Sequence, residues 1–122
     1  MKFISPTIHG IIDYLVVVFL LITPTIFGFA GTIAIFTYAL AFVHLALSLL
    51  TNYPLGALKL IPVNVHAGIE VIVGIALIVL AYTWFKDNID GSKLFYVIFG
   101  TVILLTWLVT DYTGIHRPAQ TL

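Results

Sequence analysis

The chain of 122 residues predicts an all-α fold, a polytopic membrane four-helix bundle built from two helical hairpins in parallel repeat. Three observations predict it: the composition, four apolar runs of spanning length, and a match between the two halves. Apolar residues make up 61% of the chain and charged residues only 8%, with a mean hydropathy of +1.18. Soluble domains carry about 25% charged residues. No core of this size could hide so much apolar surface from water, so the solvent is lipid.

A spanning helix needs about 20 apolar residues, and the stretches 8–29, 32–50, 65–85 and 94–109 qualify, the last being the shortest. The first run could be mistaken for a secretory leader, with Lys2 ahead of it and Gly28, Ala30 and Gly31 behind. It outruns the hydrophobic segment of a signal peptide, about 7 to 15 residues, and reads as a span. Thr7 and Asn64 are good helix N-cap types, and Pro6 and Pro62 suit the chain just before a helix, so the first and third spans are expected to begin there. Pro24 kinks the first helix or begins its exit. Gly28-Phe29-Ala30-Gly31 is a tight turn that forces the first two spans antiparallel, and residues 86–93 form a polar turn between the last two. Gly74 permits close helix contact, and Trp84, Phe85 and Trp107 read as interface anchors.

The halves repeat. Lys2, Ile4, Thr7, His9, Ile12 and Asp13 match Lys59, Ile61, Asn64, His66, Ile69 and Glu70 at a separation of 57 positions (66 minus 9). Thr51-Asn52-Tyr53 recurs as Thr110-Asp111-Tyr112 at a separation of 59, the extra two residues lying in the inner turn. The chain therefore reads as one membrane domain, 1–122, with hairpins 1–56 and 57–122. Because the middle connection returns to the starting side, the repeats are parallel, related by an axis along the membrane normal. Lys2, Lys59 and Arg117 on the side of the termini, against Lys86 and Lys93 on the other, place the termini in the cytoplasm by the positive-inside rule.

Chemistry concentrates at that end. His9 and His66 fall in the first turns of their helices, and Asp13 and Glu70 follow at i+4, which puts each carboxylate beneath its histidine on one helix face. His44, eight residues before Asn52 on the antiparallel second span, reaches a similar depth, about 12 Å from the same surface at 1.5 Å per residue. Ser48 and Asn52 continue its face as a polar stripe leading outward. Tyr14, Tyr53, Asp111, Tyr112 and His116 belong to this end as well. A charged side chain at the centre of a spanning helix costs about 2.5 to 3.5 kcal/mol on insertion scales, so such groups face the bundle interior and pair.

Four readings of the cluster follow. It is a hydrogen-bonded lock that fastens the hairpins and makes the protein a structural or interaction module. Alternatively His9, Asp13, His66 and Glu70, with His44 as a fifth donor, bind a divalent metal, zinc, iron or manganese. That second reading is the functional expectation, and a metal-dependent membrane hydrolase extends it. Bis-histidine haem fits less well, because carboxylates directly beneath the ligands make an awkward floor for a porphyrin. A proton relay lacks titratable groups in the other half of the bundle.

Composition excludes other classes. Five Lys plus Arg against five Asp plus Glu leave no basic stripe for nucleic acid. The absence of cysteine removes disulfides, thiolate nucleophiles, iron–sulfur clusters and Cys-type zinc sites. The lipid bilayer is the expected partner, and the arrangement permits a homodimer.

Two segments, His9-Gly10-Ile11-Ile12-Asp13-Tyr14 and Leu50-Thr51-Asn52-Tyr53-Pro54-Leu55-Gly56, together with Ile22-Thr23-Pro24-Thr25, resemble the SPW repeat family of small bacterial four-span membrane proteins. That family puts a Ser-Pro-Trp triplet late in the first helix of each hairpin. Here Thr23 and Thr25 replace the Ser and Trp, and Leu80-Ala81-Tyr82-Thr83 lacks the proline. The resemblance implies a duplicated four-helix membrane fold in the bacterial inner membrane and carries no activity with it.

Overall fold

The computed structural model describes residues 4–110; Lys2, Asp111, Tyr112, His116 and Arg117, singled out above, lie outside them. Four helices, all long and apolar enough to cross a membrane, run up-down-up-down: α1 (Pro6–Phe27), α2 (Gly31–Leu50), α3 (Val63–Tyr82) and α4 (Ser92–Val109). No strand occurs among the described residues. Helices α1 and α2 pack as one antiparallel pair, α3 and α4 as another.

The burial pattern is inverted relative to a soluble domain. Ile35, Ile72, Leu15 and Phe42 are exposed on the outside, whereas His9, His66, Thr23 and Thr37 are buried within. In water such a surface would aggregate; in acyl chains it is ordinary, because lipid is as apolar as leucine and polar groups are the ones driven inward.

The helix starts correct the expectation. Ser5, not Thr7, caps α1, its Oγ accepting from the Ile8 N–H at 3.2 Å, and Pro6 occupies the first turn, where a missing N–H costs nothing. Helix α3 likewise begins earlier, with Pro62 rather than Asn64 at the cap position and no side-chain cap bond. Each carboxylate therefore lies eight residues past its cap, about 12 Å along the axis at 1.5 Å per residue. Helix α1 continues past Pro24 to Phe27 and ends at Gly28, whose φ of 72° only glycine adopts without strain.

At one end the chain segments interlock. Ile4 bridges in parallel to Thr110, and Thr51 to Ile61, so the start of α1 meets the end of α4 and the end of α2 meets the start of α3. The connection over residues 51–62 folds back on α2: the N–H groups of Ala57 and Leu58 donate to the Leu49 carbonyl, and those of Leu60 and Ile61 to Leu50. This satisfies helix-end carbonyls that would be orphaned in an apolar setting. Gly56 is required there, since a Cβ would collide with the Thr51 carbonyl oxygen.

Between α3 and α4 the expected role of Gly74 is realised with a partner, Gly100. A Cβ on Gly100 would lie 2.7 Å from the Gly74 oxygen, and one on Gly74 would meet Leu104 at 2.9 Å. The inner-turn end is filled by aromatic rings, among them Phe36 edge-on to Phe85 and Tyr96 with centroids at 5.3 and 5.4 Å. There the Tyr96 hydroxyl and Thr37 Oγ1, 2.6 Å apart, tie α4 to α2. The core in between is apolar, with Leu20, Ala41 and Leu77 fully buried.

Candidate metal centre

The four side chains of the duplicated pattern meet. One donor atom from each of His9, Asp13, His66 and Glu70 lies within 4.8 Å of the others, and all four residues are buried. Within each helix the expected i+4 pairs form, His9 Nε2 to Asp13 Oδ1 at 3.3 Å and His66 Nε2 to Glu70 Oε1 at 3.2 Å. The same two nitrogens also reach across the hairpins. His9 Nε2 stands 2.9 Å from Glu70 Oε1, and His66 Nε2 stands 3.3 Å from Asp13 Oδ2. Each imidazole therefore faces both carboxylates.

Why the rings point this way is decided by two threonines. Thr51 Oγ1 lies 2.6 Å from the Leu47 carbonyl and 2.7 Å from His66 Nδ1. A carbonyl only accepts, so the single hydroxyl proton of Thr51 goes to Leu47, and its oxygen can only accept from His66. Nδ1 of His66 therefore carries hydrogen. Thr110 repeats the arrangement for His9, with 2.6 Å to the Thr106 carbonyl and 2.8 Å to His9 Nδ1. Both histidines present Nε2 to the carboxylates, and each is oriented by a threonine of the other hairpin.

The electrostatic consequence is specific. A neutral imidazole with hydrogen on Nδ1 has a lone pair on Nε2, and here that lone pair would face carboxylate oxygens at 2.9 to 3.3 Å. Lone pair against lone pair is repulsive in a low dielectric. Positive charge belongs among these four groups, supplied either by protons on the two Nε2 atoms or by one divalent cation; either neutralises two carboxylates. Donors 2.0 to 2.1 Å from a tetrahedral ion stand about 3.3 Å apart; the four nitrogen–oxygen contacts are of that length, with Asp13 meeting one ring through Oδ1 and the other through Oδ2, and the set with one donor per residue closes to within 4.8 Å.

Tyr53 completes the surroundings. Its hydroxyl donates to Asp13 Oδ2 at 3.0 Å, and burial, with the Asp13 charge beside it, pushes its pKa well above the usual phenol value. It stays a neutral donor. Lys59, at a φ of 53°, donates from Nζ to the Tyr53 carbonyl at 2.7 Å and Tyr14 donates to the Leu55 carbonyl at 2.9 Å, fastening the loop that carries Tyr53.

His44 stands apart from the four. Its Nε2 lies 3.6 Å from Asp13 Oδ1, too far for a hydrogen bond. The geometry disfavours haem: Glu70 Oε1, at 2.9 and 3.2 Å from the two Nε2 atoms, occupies the gap a porphyrin plane would need. The roles of Thr51, Thr110 and Tyr53 are not evident from the sequence pattern of ionisable residues. A signal for them exists in the recurrence of Thr51-Asn52-Tyr53 as Thr110-Asp111-Tyr112, since a repeat that keeps two buried imidazoles has reason to keep their partners.

Comparison with protein-family models, with curated proteins and with solved structures finds no match.

Proposed function

We propose that the protein is a membrane-embedded binding module for a divalent metal ion, with His9, Asp13, His66 and Glu70 as donors. The observation that carries the reading is the hydrogen fixed on Nδ1 of both histidines by Thr51 and Thr110, which turns both Nε2 atoms towards the two carboxylates. Metal-bound histidines almost always donate their other N–H to a fixed acceptor, which sets ring orientation and raises basicity. Nitrogen and carboxylate oxygen together suit zinc, iron or manganese. The matched contacts, Ile4 with Thr110 and Ile61 with Thr51, support descent of the two hairpins from one unit. The distribution of lysine and arginine supports cytoplasmic termini, and a bacterial inner membrane rests on the resemblance to the SPW repeat family alone.

A second reading has its own support: the separations of 2.9 to 3.3 Å are equally those of imidazolium–carboxylate ion pairs, which would make the cluster a lock between hairpins. Elemental analysis of purified protein loaded with zinc and freed of excess ion separates the two. The metal reading expects one ion per chain, lost in H66A and in the E70Q/D13N double variant. A protein that retains no ion, yet is destabilised by those substitutions, is the lock. Absence of a Soret band in the same sample disposes of haem.

A further inference from the structure

Among the described residues, the buried side-chain polar atoms that lack a hydrogen bond both lie on helix α2, beside the four donors. Helix α2 presents His44 and Ser48, one turn apart, and Asn52 exposed beyond them. The 59-residue offset that matches Thr51 to Thr110 places Ile103 and Trp107 at the corresponding positions of α4. The other hairpin carries neither a histidine nor a serine at those positions.

Both are unsatisfied. His44 Nε2 and Ser48 Oγ are buried and make no hydrogen bond, and Ser48 as a whole is fully buried. Six helix threonines, Thr23, Thr37, Thr51, Thr83, Thr101 and Thr110, spend their hydroxyl proton on the carbonyl four residues back. Ser48 does not, so its proton is available. A buried polar atom without a partner costs about 1 to 3 kcal/mol, and two of them beside one carboxylate point to a ligand rather than to two separate defects. His44 Nε2 faces Asp13 Oδ1 across 3.6 Å, and Ser48 neighbours the hydroxyl of Tyr53, itself bonded to Asp13.

We propose that the metal centre is open towards α2, where His44 Nε2 and Ser48 Oγ hold an exchangeable water on the ion. The proposal rests on the metal reading above and extends it from a closed, purely structural site to one with a position that solvent or a substrate oxygen can take. Four protein donors alone make a closed tetrahedral site; a further solvent ligand is what distinguishes sites that do chemistry. His44 and Ser48 act through the coordinated water and not as ligands, which accounts for the distance of His44 from the donor set. Asn52 extends the stripe to the membrane surface and gives the water its route.

The test is water-proton relaxivity of the protein in detergent, loaded with Mn(II), with bound manganese measured in the same sample. The wild type should show, per bound ion, relaxivity about twice that of H44L and of S48A, since an inner-sphere exchanging water supplies the difference. S48A removes one oxygen and keeps the helix, so it serves where H44L fails to fold. Equal relaxivity per ion in all three proteins overturns the open position and leaves the metal reading intact. A wild type that retains neither manganese nor zinc overturns the metal reading and this proposal with it.

Discussion

Thr51 and Thr110 show how a residue without charge can decide the chemistry of one that has it. In water a threonine hydroxyl is indifferent between donor and acceptor roles; in an apolar bundle its proton goes to the nearest free carbonyl, and only its oxygen is left for a neighbour. T51V and T110V keep the shape and remove that oxygen. Each should weaken zinc binding by about 10 to 100-fold, the usual cost of losing such a partner, with the fold retained, whereas T51S should restore it. Competition against a chromophoric chelator reads the change. Unchanged affinity in T51V would show that the ring is held by something else. At this scale the sequence is informative about His9, Asp13, His66 and Glu70, because ionisable residues are so rare in apolar helices that each stands out. It is silent about threonine, which is too common in such helices to carry a signal alone.

Helix pairing depends on how close two backbones can come. The approach of α3 to α4 at Gly74 and Gly100 leaves no room for a methyl group: a Cβ on Gly100 would also lie 2.8 Å from Ile78 Cγ1. G100A should cost about 1 to 3 kcal/mol by overpacking. Gly68 lies in the same helix as Gly74, and a Cβ there would find nothing within 4 Å, so G68A should be neutral or stabilise by up to about 1 kcal/mol through helix propensity. Thermal unfolding in detergent, followed by circular dichroism, gives both values; a comparable loss from the two substitutions would mean that backbone proximity is not what holds α3 to α4. The existence and order of all four helices are legible from length and hydropathy, while their starts are not. Thr7 and Asn64 are good capping residues, but Ser5 and Pro62 hold the cap positions two residues earlier, and Pro6 takes the first turn of α1, where its missing N–H costs nothing.

Taken whole, the bundle joins its two hairpins by polar contacts at opposite ends, the His–carboxylate cluster at one and Tyr96 with Thr37 at the other. Loss of the single hydroxyl in Y96F should cost about 0.5 to 1.5 kcal/mol and leave zinc affinity unchanged, which a melting curve and a chelator titration test together. A drop in affinity would show that the two ends communicate. That the hairpins meet at all follows from the dislike of lipid for isolated charge. How they meet, with each histidine steadied by the opposite hairpin, cannot be read from a linear pattern, because matched halves can pair side by side or crosswise with the same residues.

The crosswise choice has a bearing on biogenesis. His9 leaves the ribosome ahead of Thr110, the residue that sets its ring, which follows 101 positions later. A ribosome must deliver all four helices before the imidazole of the first acquires its final orientation. If the centre holds an ion, its capture becomes a late event, reserved for molecules whose fourth helix is already in place.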